Sequence, residues 1–115
     1  MTKDTLFLLP PGFEDNDRRE FCPECAEMWG VLSYYPAIKE SLEICYVGIS
    51  HPRRPIVQVL GEGNWNAPTL FLASPEAVTG EFRAKTANGV TYLDSARQIA
   101  KYFAAKFGTA MPRGS

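Results

Sequence analysis

Three cysteines and a single histidine in 115 residues leave little material for the cross-links that hold many small proteins together. An odd, small number of cysteines is no disulfide scaffold, which in a short secreted chain needs several pairs. Basic charge is not in excess either. Twelve Lys and Arg stand against thirteen Asp and Glu, so neither nucleic acid nor an anionic membrane is an expected partner. No apolar stretch is long enough to span a bilayer. The run Leu6 to Leu9 is short and stops at Pro10-Pro11, so Met1-Thr2-Lys3-Asp4 begin no secretory signal. Internal repeats and low-complexity segments are missing. What these absences leave is one domain over residues 1–115, with a core of about 5–108 and a tail at 109–115, large enough to bury a core and too small for two. The cytoplasm is the expected compartment, and there a cysteine pair is more often catalytic or metal-binding than structural.

Thr5-Leu6-Phe7-Leu8-Leu9 reads as a strand buried on both faces. Phe13 to Glu20 reads as a polar loop. From Pro23 the period turns helical: Cys25, Met28, Trp29 and Leu32 fall at i, i+3, i+4 and i+7, one buried stripe. The pattern runs to about Tyr35, where Pro36 forces a break or a kink. Leu42 to Ile49 reads as a second strand. Between Ile56 and Leu60 strand and short helix compete, and a second crossover in a small α/β domain favours the helix. Pro68 lacks an N–H for a sheet ladder, so it belongs at the very start of the third strand; the Ala67-Pro68 bond is open to either isomer. Ser74 to Lys85 reads as a surface excursion, Asn88-Gly89 as a turn and Val90 to Leu93 as a strand leaving it. Asp94 or Ser95 caps the last helix. Its apolar stripe is Ala96, Ile99, Ala100, Phe103, Ala104 and Phe107, and Gly108 ends it. The expected order is β-α-β-α-β-β-α, an α/β fold with a mixed sheet of about four strands flanked by about three helices.

Reactive chemistry is legible in one stretch, Phe21-Cys22-Pro23-Glu24-Cys25. A dithiol at this spacing, opening a helix that follows a strand, reads as a redox motif of thioredoxin type. Cys22 falls at the helix N-terminus, where unpaired N–H groups and the dipole favour an anion. Pro23 suits the first turn, where a missing N–H costs nothing. Cys22 is therefore the expected nucleophile, and Cys25, one turn along on the buried stripe, the thiol that resolves the mixed disulfide. The Glu24 carboxylate opposes the Cys22 thiolate. Other readings stay open. The pair is half of many zinc sites, which Cys45 and His51 would complete, or both thiols are inert and the domain is a binding module. Cys45 reads as a small buried hydrophobe. Arg53 and Arg54 read as a solvated face before a carboxylate clamp. Trp29 fits the core, and Trp65 either walls the site or plugs the sheet edge.

Taken with Pro68, Cys22-Pro23-Glu24-Cys25 resembles the thioredoxin superfamily, and its Cys-Pro-x-Cys form is most similar to glutaredoxins. The half from Ala67-Pro68-Thr69-Leu70 through Leu93-Asp94-Ser95 to Tyr102-Phe103 is similar to the N-terminal domain of glutathione transferases. A bacterial family of small thioredoxin-like proteins of unknown function is a further resemblance. It covers roughly Thr5 to Gly108. It implies a thioredoxin-like fold and a thiol–disulfide oxidoreductase that needs no metal and no tightly bound cofactor. It also implies glutathione as a candidate co-substrate, and protein disulfides or glutathione as partners. By the same resemblance Ala67 and Pro68 would shape a substrate groove, and Asp94 and Ser95 would hold the γ-glutamyl end of glutathione. Three departures are visible. The segment Pro10 to Phe21 is longer than in thioredoxins or glutaredoxins, Ser95 to Ile99 is one residue longer than the transferase pattern, and the transferases' second, helical domain is absent.

Overall fold

A strand covered on both faces must be apolar on both, and Asp4–Leu8 (β1) meets that condition, with Leu6 and Leu8 buried on one face and Phe7 on the other. The computed structural model describes residues 2–49, 53–61, 66–74 and 82–114, without the Arg54 side chain. After β1 come a hairpin, Phe13–Asp15 (β2) and Arg18–Glu20 (β3), and two helices, Pro23–Tyr34 (α1) and Pro36–Glu40 (α2). Leu42–Tyr46 (β4) follows, then helix Arg54–Leu60 (α3), Thr69–Phe71 (β5), Lys85–Ala87 (β6), Val90–Leu93 (β7) and helix Ala96–Phe107 (α4). Five of the strands form one mixed sheet in the order β4-β1-β5-β7-β6. β1 runs parallel to β4, with Leu6 opposite Ile44, and antiparallel to β5, with Leu6 opposite Leu70. Parallel neighbours need a crossover, and α1 and α2 supply it between β1 and β4.

Pro68 does stand immediately before its strand, and Ile56–Leu60 is helical. Among the described residues the element counts differ from expectation: the main sheet has five strands rather than about four, and there are four helices rather than about three. Phe13 to Glu20 is a hairpin instead of a loop, because Asn16 and Asp17 take positive φ (53° and 58°), the geometry of a two-residue I′ turn. At Pro36 the chain breaks and restarts. Tyr35 leaves the helical region (φ −129°, ψ 76°) and Pro36 opens α2, as a proline can at a first helical position. The excursion before Lys85 ends in an added edge strand: β6 pairs β7 across Asn88-Gly89, both at positive φ. Phe82, read as part of a surface excursion, is buried and meets Tyr102 edge-on. Without β2–β3, α2 and β6 the order reduces to β-α-β-α-β-β-α.

The last helix follows its stripe. Ile99, Ala100 and Phe103 are buried, Ser95 caps the N-terminus, and Gly108 closes the C-terminus in the left-handed region at φ 71°. Tyr102, off the stripe, is buried as well, and its hydroxyl donates to Asp4. Among the described residues no helix is long and apolar enough to cross a membrane.

Candidate dithiol site

Cys22 is the N-cap of α1, with extended backbone (φ −81°, ψ 113°). Its sulfur occupies the place that a serine or aspartate oxygen usually takes. The Cys25 backbone N–H donates to Cys22 Sγ at 3.1 Å, and the Ala26 N–H to the Cys22 carbonyl at 3.0 Å. Pro23 is the first helical residue. Both cysteines are free thiols, Cys22 partly exposed and Cys25 buried.

Cys25 lies on the stripe with Met28 and Leu32, all three buried, while Trp29 is only partly so. Burial, then the hydrogen bond with the Cys22 thiol, push its pKa up to about 12; the Leu9 N–H, donating to its sulfur at 3.4 Å, pulls the other way. The nearby Cys22 and Glu24 add smaller upward pushes. The two thiols therefore sit in different environments: Cys22 meets solvent, and Cys25 is held protonated behind it. Because the folded value lies above the ordinary 9.0, the unfolded chain loses this proton first as pH rises. Stability of the reduced protein is therefore expected to be intact below about pH 9 and to fall as pH climbs toward about 12. Urea unfolding along a pH series checks this, and Cys25→Ala should flatten that part of the profile.

A cleft of about 260 Å³ opens beside the thiols. Leu9, Pro10 and Pro11, leaving β1, form one wall, while Phe21 and the α1 residues Ala26 and Trp29 form the other. The β2–β3 hairpin joins the two walls, since Pro11 precedes it and Phe21 follows it. Two ion pairs run within it, Arg18–Glu20 and Arg19–Glu14. Arg18 Nε donates to Glu20 at 2.8 Å and, with Asn16, holds the Glu20 carboxyl below its usual range. Lys39 Nζ stands 5.5 Å from the centre of the Trp29 ring.

The remaining expected site residues are elsewhere. Ala67 and Pro68 are buried, joined by a cis peptide bond, and neither lines this cleft. Asp94 and Ser95 line a separate polar depression with Arg83, Lys85 and Gln98. There Ser95 Oγ accepts from the Gln98 N–H, and Asp94 pairs with Lys85 Nζ at 3.0 Å, holding that ammonium above its usual range. Cys45 is half-buried on β4 rather than buried, and Arg53 Nε donates to the Gly48 carbonyl at 2.9 Å. His51 and Trp65 lie outside the described residues, as does the Arg54 side chain. Among the described residues no three His, Cys, Asp or Glu side chains stand together as a metal site. The cleft walls were missed by sequence reading. The signal was there in the Pro10-Pro11 pair and in Phe21 directly before the motif.

Fold and site together define an α/β protein with a Cys-x-x-Cys dithiol at the start of its first crossover helix. The chain belongs to the family described as Protein of unknown function (DUF3088), whose model matches residues 3–111. No curated protein and no solved structure matches it.

Proposed function

We propose that this protein is a thiol–disulfide oxidoreductase of glutaredoxin or thioredoxin type on a thioredoxin-like fold. The carrying observation is the division between the two thiols. Cys22 caps α1 and is partly exposed, and the buried Cys25 stands behind it in hydrogen-bonding contact. The sheet supports the same reading: a parallel pair, β1 and β4, is joined through the dithiol helix, and two antiparallel strands, β5 and β7, follow.

The Cys22 thiolate attacks one sulfur of a substrate disulfide. That S–S bond breaks, a Cys22–substrate disulfide forms, and the departing sulfur takes up a proton. Cys25 then gives up its proton and attacks Cys22 Sγ. The second substrate thiol leaves protonated, the protein pair is oxidised by two electrons and the substrate reduced by two. Two molecules of a small thiol of the glutathione class restore the dithiol: the first forms a mixed disulfide with the protein, and the second releases it and leaves joined to it as the small-molecule disulfide. The reaction needs no metal and no tightly bound cofactor. The reading assigns the protein to the cytoplasm, whose glutathione and thioredoxin pools keep such pairs reduced.

A mass-spectrometric redox titration tests it. In glutathione buffers of increasing oxidation, followed by acid quench, a reversible Cys22–Cys25 disulfide or a glutathione adduct on Cys22 is expected. Thiols that stay free and unmodified throughout would leave a non-catalytic binding module as the better account.

A further inference from the structure

The cleft beside the dithiol has a composition that selects among disulfides. Among the described residues, and apart from the thiols themselves, its lining has no ionisable side chain: Leu9, Pro10, Pro11, Phe21, Ala26 and Trp29. The one charged side chain inside the motif, Glu24, is exposed and negative. Glutathione disulfide carries two carboxylates and an ammonium on each half, and a charge brought into an apolar cleft without a partner loses its hydration uncompensated. At about 260 Å³ the cleft lies below the roughly 300–1,000 Å³ of sites that enclose a whole drug-sized ligand. It is of a size for one side chain. Phe21, 60 % exposed at the rim, is an aromatic left in water directly beside Cys22, and it shares the cleft with the apolar Pro10, Pro11 and Trp29.

From this geometry we infer that the cleft is a specificity pocket for a polypeptide disulfide whose cysteine is flanked by a large apolar residue. That side chain enters between the Leu9–Pro11 wall and the Phe21–Trp29 wall while the substrate sulfur meets Cys22. Successive Cα atoms are about 3.8 Å apart, so a residue next to the substrate cysteine is within reach of a cleft that Cys22 itself lines. The inference rests on the oxidoreductase reading and adds the substrate class. Electrons move as described above: the peptide disulfide is reduced, the Cys22–Cys25 pair is oxidised, and two small thiols return it to the dithiol and leave as their disulfide. Phe21 acts as a specificity residue. Its place at the end of the β2–β3 hairpin makes that inserted hairpin the scaffold of the pocket.

The experiment uses the full chain and two disulfide-linked peptides, identical except that Phe or Asp flanks the cysteine, with glutathione disulfide as a third substrate. The Phe peptide is expected to exceed the Asp peptide and glutathione disulfide in kcat/KM by about tenfold or more, the range in which apolar pockets discriminate. Phe21→Ala should shrink that preference through loss on the Phe peptide. Phe21→Lys should shift it toward the Asp peptide, and because this side chain is largely exposed both variants should fold. If all three substrates are reduced at rates within about twofold of one another, the pocket inference is overturned and the oxidoreductase reading stands. If none is reduced and the mass of the protein shows Cys22 still free, both fall together.

Discussion

Cys22→Ser is expected to lower disulfide-reductase turnover by about a thousandfold or more, the scale seen when a covalent nucleophile is removed. Cys25 cannot stand in for it. It is buried, and with its pKa pushed up to about 12 it has almost no thiolate near neutral pH. Cys25→Ser should behave differently: attack still proceeds, resolution does not, and the protein accumulates as a mixed disulfide through Cys22. Intact mass after substrate addition distinguishes the two, with a gain of one substrate half in Cys25→Ser and none in Cys22→Ser. Cys45→Ser serves as the control, since Cys45 lies on β4 and not in the cleft. Equal loss of turnover in Cys22→Ser and Cys45→Ser, with no trapped adduct in Cys25→Ser, would remove the chemistry from the motif. A smaller effect belongs to Glu24. Its exposed carboxylate repels anionic disulfides, so Glu24→Gln should speed reduction of glutathione disulfide by about two- to fivefold at low salt and less at high salt.

Asp4→Ala is expected to cost about 2–4 kcal/mol of folding stability. Among the described residues Asp4 is the one charged side chain that is buried, 4 % exposed at the first position of β1. Its carboxylate accepts from the Ala73 N–H at 2.8 Å, the Tyr102 hydroxyl at 3.2 Å and Lys106 Nζ at 3.2 Å. It thereby ties β1 to the chain leaving β5 and to the last turns of α4. Truncation leaves an N–H and a buried hydroxyl without their acceptor, which costs more than the hydrogen bonds themselves contribute. Asp4→Asn, whose amide oxygen still accepts from Ala73, should lose less. Urea unfolding reports the loss as a lowered midpoint at unchanged slope. A midpoint within error of the unsubstituted protein would show that the carboxylate is not a structural tie.

How much of this was legible in the sequence depended on how local the cause was. The dithiol helix could be read because its signals sit within one turn of each other: a proline at the first helical position and apolar residues at i, i+3, i+4 and i+7 from Cys25. The same holds for α4, whose cap, stripe and terminal glycine are contiguous. The hairpin at Phe13–Glu20 was hidden because its strands are short and charged, and alternation over three residues is no signal. The added edge strand β6 was hidden for a related reason, being three residues, two of them exposed, whose ladder is with β7. Asp4 gave no sign of its burial, since a lone aspartate before an apolar run reads as a solvated strand end. Its partners are 69, 98 and 102 residues away in the chain. The sequence by itself determined the chemistry on offer, two thiols a helical turn apart at a helix start, and the alternation of strands and helices that carries them. Only the tertiary structure decided what surrounds those thiols: the Leu9–Pro11 wall facing Phe21 and Trp29, and the separation of Asp94 and Ser95 from that cleft. Periodicity along a chain reports which face of an element is buried, whereas the composition of a cleft depends on which distant faces the fold brings together.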